Sequence, residues 1–351
     1  MLSLCMIVKN EEVNLRNCLL KIKDFVDEIV IVDTGSVDNT KIIAREFTDK
    51  VYDFLWCDDF AKAKNFSIEK ASNDWVLVLD ADEIVDYFIK ENVKKFITNP
   101  LNENRVGRIK RINIIDDSND MKKYTEWLNR IFNKNNFMYK GIIHEQIVSK
   151  NEKNYETECL DIAIEHIGYT KESLNRTNKI ERNIKILKKA IESNSDDPYL
   201  YYQIGKSYYM LKDYRNSSLN FENSLSYDLN YSLEYVSDLV ETYGYCLINM
   251  ERYSDALILE QLEDLYENNP DFIFVMGLVY MNNALFEKAV NSFFKCTNFT
   301  SSKVEGITGY LSFYNIGVIY DVLGHMEEAI KYYRRCENYA PAIKRLRAQL
   351  N

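Results

Sequence analysis

Four short apolar runs, separated by amphipathic segments, divide the first eighty residues of the chain. They cover residues 2–8, 28–33, 51–55 and 75–80, and they are continuous rather than alternating. Continuous apolar strands that alternate with helical segments are typical of βαβ units, in which helices cover both faces of a mostly parallel sheet. The sequence therefore predicts an α/β domain with a Rossmann-like sheet over residues 1–170.

A repeating pattern replaces the strand signals from about residue 175 onward. Glycines mark it at intervals of 39, 33 and 40 residues: Gly205, Gly244, Gly277 and Gly317. A small residue follows each glycine twelve positions later, and an aromatic follows three of them sixteen positions later, with Glu260 as the exception. Small residues let paired helices cross closely, and aromatics fill the space between repeats. We therefore expect an all-α helical-repeat domain over residues 171–351.

Composition limits the class of protein. The 351 residues suffice for two domains, and a net charge of -10 argues against nucleic acid as a general partner. No run approaches the ~20 apolar residues that a membrane-spanning helix needs. The seven cysteines are scattered singly, which is typical of reduced thiols. We expect a cytoplasmic protein without a membrane span.

The sharpest local motif is Asp80-Ala81-Asp82, directly after the fourth apolar run. Ligands of open parallel sheets bind beyond the carboxyl ends of the strands. Two carboxylates at such an edge can hold a hard divalent cation, which in turn neutralises a diphosphate. An isolated Asp-x-Asp tripeptide is more often a solvated turn, so the prediction depends on what lies at the other strand ends.

Polar groups also follow the earlier runs and the third amphipathic segment. The first run ends in Lys9-Asn10-Glu11, and the second ends in Asp33 before a turn rich in Gly, Ser, Asp and Thr. Lys64 and Asn65 lie one helical turn after an acidic helix start. Each cluster alone fits an ordinary strand–turn–helix or a surface lysine. Together they indicate a site for an anionic ligand at one edge of the sheet.

In this order the motifs resemble the family-2 glycosyltransferases of the GT-A fold, across nearly all of residues 1–170. The resemblance implies that Asp33 recognises the nucleotide base and that Lys64, where the family usually has Arg, lies near the diphosphate. It also implies that Asp80 contacts ribose and metal and that Asp82 is the metal anchor. The implied nucleotide-sugar-binding residues are Lys9, Asn10, Glu11, Asp33, Lys64, Asn65, Asp80 and Ala81.

Residues 130–133 and 139–146 look like a second signature, found in a bacterial subgroup of the family. It implies His144 as a third ligand of Mn²⁺ or Mg²⁺, beside Asp80 and Asp82, because imidazole is a good Mn²⁺ ligand. Glu145, which adjoins His144, is our candidate for the catalytic base. Three other carboxylates remain open for that role: Asp116, Asp117 and Glu126. Residues 165–169 end the domain in the style of the same subgroup, with His166 as a weaker candidate.

The repeats resemble the tetratricopeptide repeat over residues 198–345. Cytosolic enzymes that pair such repeats with a family-2 domain include the S-glycosyltransferases of glycosylated bacteriocins, which implies a peptide or protein acceptor. We therefore expect a metal-dependent, inverting transferase that uses a UDP-sugar and holds its acceptor on the repeats. Alternatives are a cell-envelope glycan as acceptor, with the repeats forming a homodimer, and a non-catalytic scaffold with a degenerate transferase domain. A sugar-1-phosphate nucleotidyltransferase would need a glycine-rich loop after the first strand, which this chain lacks.

Overall fold

The computed structural model describes residues 1–117, 120–167 and 179–350. The chain forms two compact units, Met1–Lys179 and Ile180–Asn351. The boundary that we predicted between residues 170 and 171 lies outside the described residues, so the domain limits stay a prediction.

The first unit is built around an eight-stranded sheet with the order β3-β2-β1-β4-β7-β6-β10-β5, next to a small hairpin of β8 and β9. Its strands are β1 Leu2–Val8, β2 Glu28–Asp33, β3 Val51–Asp53, β4 Trp75–Val78, β5 Glu83–Phe88, β6 Arg105–Asp117, β7 Asp120–Asn133, β8 Phe137–Lys140, β9 Gln146–Ser149 and β10 Glu156–His166. Its helices are α1 Leu15–Ile22, α2 Thr40–Arg45, α3 Phe60–Lys70 and α4 Lys90–Thr98, with a 3₁₀ turn at Pro100–Asn102.

The predicted α/β architecture is confirmed, and strands β3, β2, β1 and β4 are all parallel. Their apolar runs are continuous because both faces of the sheet are buried. Leu4 and Met6 of β1 pack into one core cluster, whereas Cys5 between them packs into another on the opposite face. Strand β7 then joins β4 in the antiparallel sense, so the sheet is mixed beyond β4.

The remaining described helices are α5 Lys179–Ser193, α6 Pro198–Met210, α7 Tyr214–Leu225, α8 Glu234–Asn249, α9 Tyr253–Ala256, α10 Pro270–Asn282, α11 Phe286–Cys296, α12 Tyr310–Val322, α13 Met326–Arg334 and α14 Ala340–Leu350. A 3₁₀ segment, Leu257–Leu262, continues α9. Within residues 1–117, 120–167 and 179–350, no helix is long and apolar enough to cross a membrane.

Helix pairs of the second unit pack through the glycines of the repeat. A Cβ atom on Gly277 would lie 2.7 Å from Cε1 of Phe293, sixteen residues later, and the first and fourth repeats have the same contact. The exception at Glu260 has a structural reason. Gly244 packs instead against Val275 of the next repeat and Leu259 of the 3₁₀ segment. The predicted helical-repeat fold is therefore confirmed, including its irregular second repeat.

Candidate functional site

The loops after β1 and β2 are bonded to each other at the carboxyl edge of the sheet. The backbone N–H of Asn10, whose φ is +56°, donates to Ser36 Oγ at 2.9 Å, and the Val37 N–H donates to Asn10 Oδ1 at 2.9 Å. The Glu11 N–H donates to Thr40 Oγ1 at 2.7 Å, while Lys9 is exposed. Asn10 and Glu11 therefore link the two loops at this edge of the sheet. Binding of a nucleotide sugar by Lys9, Asn10 and Glu11 stays a prediction.

Asp33 is the last residue of β2, and its two carboxylate oxygens differ in their hydrogen bonding. Its Oδ1 accepts hydrogen bonds from the backbone N–H groups of Gly35 and Ser36, at 3.0 and 2.9 Å. Its Oδ2 is buried and has no hydrogen-bond partner among the residues described by the structure. A buried acceptor without a partner costs about 1–3 kcal/mol. The geometry therefore suits a ligand that brings an N–H or O–H donor to this strand end.

Lys64, on helix α3, bridges two carboxylates. Its Nζ lies 2.7 Å from Glu145 Oε1 and 3.4 Å from Asp80 Oδ1, and its side chain is only 7% exposed. Burial disfavours the ammonium, but Asp80 and Glu145 outweigh it and raise the pKa of Lys64 above its ordinary value. Lys64 thus links Asp80 of the Asp-x-Asp motif to Glu145, our candidate base. Contact of Lys64 with a diphosphate stays a prediction.

Asp80 lies between two buried cations. Besides Lys64, the Arg130 guanidinium approaches it, with Nη2 3.2 Å from Asp80 Oδ2 and 2.6 Å from Glu83 Oε1. Burial alone would raise the pKa of Asp80, but Lys64 and Arg130 hold it well below its usual range. Arg130 and Glu83 were absent from the predicted site residues, although Arg130 begins the motif at residues 130–133.

Asp82 faces a different set of groups. Its Oδ2 lies 3.4 Å from Lys179 Nζ and 3.4 Å from Nε2 of His166, the last residue of β10. Burial would raise the pKa of Asp82, but Lys179 and His166 more than compensate and hold it well below its ordinary value. Asp82 is therefore an ionised carboxylate with an imidazole nitrogen beside it.

His166 is oriented from behind by β6. Its Nδ1 lies 2.8 Å from Asn113 Oδ1, and Asn113 Nδ2 donates to Glu126 Oε1 at 2.6 Å. Metal-binding histidines usually donate their second ring N–H to an oxygen in this way. Ligands at ~2.1 Å from one cation lie roughly 3 Å apart when adjacent, close to the 3.4 Å between Asp82 and His166. The pair therefore fits a divalent cation, and Glu126 is engaged in orienting it.

Asn65 anchors the segment that carries Glu145. Its side-chain amide donates to the Tyr139 carbonyl at 2.8 Å and accepts from the Tyr139 N–H at 2.9 Å. The Phe60 N–H donates to the Ile142 carbonyl at 2.8 Å, which ties the next turn to α3. Ala81 is buried in the core between the two aspartates. Donor contacts by Asn65 and Ala81 stay predictions.

The side chains predicted as metal ligands are not arranged around one metal position in the described structure. In the described part of the chain, no three His, Cys, Asp or Glu side chains converge on a common metal position. The assignment of Asp80, Asp82 and His144 as ligands therefore stays a prediction. The side chains of Asp116 and Asp117 and the end of the 165–169 motif lie outside the described residues, so their roles are untested.

Residues 3–155 match the model of the family described as Glycosyl transferase family 2, and residues 310–343 match a tetratricopeptide repeat. The chain is 31% identical over 219 residues to a TPR repeat-containing protein of Synechococcus elongatus, covering 58% of this chain and 51% of that protein. It is 28% identical over 229 residues to the SPbeta prophage-derived glycosyltransferase SunS of Bacillus subtilis, covering 61% and 52%. The chain thus spans about half the length of these relatives.

One solved structure to which the chain is similar is that of YrrB, described as a TPR protein. The crystal structure of the TPR protein YrrB covers 48% of this chain and 82% of its own, with 24% sequence identity and a TM-score of 0.40. In the second unit, the packed helix pairs agree with the matched tetratricopeptide repeat. In the first unit, the parallel sheet and the polar motifs at the strand ends agree with the matched glycosyltransferase family. The chain therefore carries a family-2 glycosyltransferase domain, followed by tetratricopeptide-type helical repeats.

Proposed function

We propose that the chain is a metal-dependent, inverting glycosyltransferase that moves a sugar from a UDP-sugar to a peptide or protein side chain. The observation that carries this proposal is the buried, unbonded Oδ2 of Asp33 at the same sheet edge as Asp80. The order β2-β1-β4 separates the two strand ends by two strand spacings, or about 10 Å. That separation suits a nucleotide whose base lies at Asp33 and whose diphosphate lies at Asp80 and Asp82.

The base preference follows from the chemistry of Asp33. Its free oxygen is an acceptor, so it favours a base with an N–H at the centre of its hydrogen-bonding edge. Uracil has such an N–H at N3, whereas cytosine has a lone pair at that position. This complementarity favours uridine diphosphate over cytidine diphosphate as the carrier.

Asp82 and His166 are the residues that we expect to hold a divalent cation, with Asp80 beside them. Imidazole suits Mn²⁺ better than Mg²⁺, which prefers oxygen ligands. When bound, the cation would neutralise the departing diphosphate. Lys64 and Arg130 hold Asp80 in place, because each contacts a different oxygen of its carboxylate.

Glu145 remains our candidate for the base that deprotonates the acceptor. Its contact with Lys64 engages Oε1, so Oε2 is the oxygen that we assign to the proton transfer. Direct attack by the deprotonated acceptor on the sugar, opposite the departing diphosphate, inverts the anomeric carbon. A thiol acceptor would depend least on Glu145, because thiols are partly ionised near neutral pH.

A peptide or protein acceptor is supported by a tyrosine cluster of the first two repeats, in which Tyr199 and Tyr235 are partly exposed and Tyr202 is buried. Tyr199 and Tyr202 of α6 contact Tyr235 of α8, with ring centroids 5.2 and 5.4 Å from that ring. Tyrosines combine apolar area with a hydrogen-bonding hydroxyl, which suits binding of a polypeptide. A homodimer formed by the repeats, with a glycan as acceptor, is the alternative that the experiments below separate.

The donor half of the proposal is tested with purified protein, Mn²⁺ and a panel of nucleotide sugars. We expect slow release of UDP, and we expect Asp82→Ala to abolish it together with Mn²⁺-dependent UDP binding while the circular dichroism spectrum is retained. Asp86→Ala, an exposed aspartate on β5, is the matched control and should behave as wild type. Full activity of Asp82→Ala would remove the metal assignment, and no binding of any donor would favour the scaffold.

The acceptor half is tested by transferring labelled sugar to an extract of the source cells. Label that protease releases supports a peptide or protein acceptor, whereas protease-resistant label supports a glycan. We expect Tyr235→Ala to reduce this transfer without changing UDP release in the absence of acceptor. Leu219→Ala, an exposed side chain on the second helix of a repeat, is the control. Equal transfer by both variants would remove the repeats from acceptor binding.

A further inference from the structure

We propose that Asn113 is a positioning residue, which fixes His166 in the tautomer that presents a lone pair at Nε2 to the cation beside Asp82. This inference rests on the proposed metal-dependent function. It concerns a residue of β6 whose side chain contacts His166 and Glu126.

Strand register brings the two residues together. His166 of β10 lies directly opposite Asn113 of β6 on one side and opposite Glu83 of β5 on the other. Asn113 and His166 are both buried, and Asn113 Oδ1 lies 2.8 Å from His166 Nδ1. Because the backbone pairing sets this contact, the two side chains meet whether or not a ligand is present.

The orientation of the Asn113 amide follows from its other neighbour. Its Nδ2 donates to Glu126 Oε1 at 2.6 Å, and Arg111 donates to the same oxygen from Nε at 3.2 Å and Nη2 at 2.8 Å. A flipped amide would place its carbonyl oxygen against the Glu126 carboxylate, and two acceptors would then face each other. The amide oxygen therefore faces His166, and the hydrogen of a neutral ring must be on Nδ1.

The position of the ring hydrogens determines whether Nε2 of His166 presents a lone pair or an N–H group to Asp82. A ring that also carries a hydrogen on Nε2 donates it to Asp82 Oδ2, 3.4 Å away, which lowers the pKa of that carboxyl. Because Asn113 accepts from Nδ1–H, Nε2 is the nitrogen that gives up its hydrogen and presents a lone pair, and a divalent cation would take the place of that hydrogen beside Asp82. The opposite tautomer would instead donate Nε2–H to Asp82 and could not bind a metal. Asn113 thus favours the ring that can act as a ligand.

The test compares Mn²⁺ binding by three proteins in the presence of UDP, measured by electron paramagnetic resonance. We expect pulsed spectra of the wild type to show coupling of Mn²⁺ to an imidazole nitrogen. Asn113→Leu should lose this coupling and bind Mn²⁺ about 10- to 100-fold more weakly, the range for lost partners of metal ligands. The control is Asn102→Leu, another buried asparagine, whose Nδ2 donates to the Phe96 carbonyl at 3.0 Å. Asn102→Leu should keep the Mn²⁺ affinity and the nitrogen coupling of the wild type.

A compensating variant separates the tautomer from a general loss of structure. In Asn113→Asp with Glu126→Gln, the aspartate accepts from His166 Nδ1 and the glutamine amide donates to the aspartate. We expect this double variant to recover Mn²⁺ affinity and nitrogen coupling, with melting checked by circular dichroism. Wild-type binding by Asn113→Leu would overturn the inference, and so would a folded double variant that stays weak.

The remaining outcomes distinguish this inference from the proposed function. A wild type that binds UDP and Mn²⁺ without nitrogen coupling overturns the role of Asn113 and His166 but leaves metal-dependent donor binding intact. A wild type that binds no Mn²⁺ with UDP overturns both.

Discussion

Replacement of Asp33 by Asn is the substitution that tests the donor site most directly. The asparagine oxygen can keep the two hydrogen bonds from Gly35 and Ser36, so the turn after β2 is preserved. The amide nitrogen then replaces the buried Oδ2, which has no partner within the described residues. Asp33→Asn should therefore fold with nearly wild-type stability and lose only the acceptor that faces the ligand.

The magnitude follows from the lost hydrogen bond. A hydrogen bond to a carboxylate contributes about 1.5–3 kcal/mol. At about 1.4 kcal/mol for each tenfold change, UDP should bind roughly 10- to 140-fold more weakly. The new amide is a donor, so it faces the N3–H of uracil unfavourably and the N3 lone pair of cytosine favourably. We expect CDP to lose much less affinity than UDP, which lowers the ratio of the two affinities.

Isothermal titration with UDP and with CDP, in the presence of Mn²⁺, measures both effects. Asp53→Asn is the matched control, because Asp53 ends the neighbouring strand β3 opposite Asp33 and its side chain is exposed. It should leave both affinities unchanged. Unaltered UDP affinity in Asp33→Asn, with the protein folded, would refute the assignment of this oxygen to the base.

Three predictions concern the repeats. Gly277→Ala should lower the free energy of unfolding by up to about 2 kcal/mol in urea titrations, because overpacking against Phe293 costs about 1–3 kcal/mol and the gain in helix propensity returns about 1. Lys303→Met should cost about 3–5 kcal/mol at neutral pH, because it leaves the buried carboxylate of Glu241 without its ion pair. Burial raises the pKa of Glu241 above its ordinary value of 4.5, and Lys303 partly counteracts this, so the loss should already shrink as the pH falls toward 4.5, and a pH-independent loss would contradict this account. Burial would raise the pKa of Asp238, but Lys206 and Lys303 lower it from 3.8 to about 2. The stability that the ionised Asp238 contributes is therefore present above pH 3.8 and is lost as the pH falls toward 2. Asp238→Asn should reduce the fall in melting temperature over this acidic range in thermal melts.

The parts of the fold that could be predicted are those that local sequence determines. The apolar runs predicted β1, β2 and β4 to within two residues, because both faces of these strands are buried and most positions are apolar. The strand ends predicted that Asp33 and Asp80 share one edge, since parallel strands align their carboxyl ends. The glycine spacing predicted the repeats, because each glycine makes room for an aromatic ring at a fixed distance along the chain.

The groups behind the motif could not be predicted, because they depend on pairing between distant strands. Arg130 reaches Asp80 only because β7 pairs with β4, and His166 reaches Asp82 only because β10 lies between β5 and β6. Neither pairing is local in sequence. The resemblance implied that Lys64 lies near the diphosphate, and its ion pairs with Asp80 and Glu145 could not be predicted, because Glu145 is distant in sequence from helix α3.

The two aspartates of the motif differ in how much of their charge is already compensated. Asp80 has a buried cation on each oxygen, Lys64 on one and Arg130 on the other, so a further cation would find its charge largely neutralised. Asp82 has one lysine and one imidazole on the same oxygen, Oδ2. Since the attraction for a cation falls as neighbouring positive charge accumulates, we propose Asp82 as the better metal anchor of the pair. The tripeptide alone suggests equal roles, and the side chains that β7 and β10 bring to it make those roles unequal.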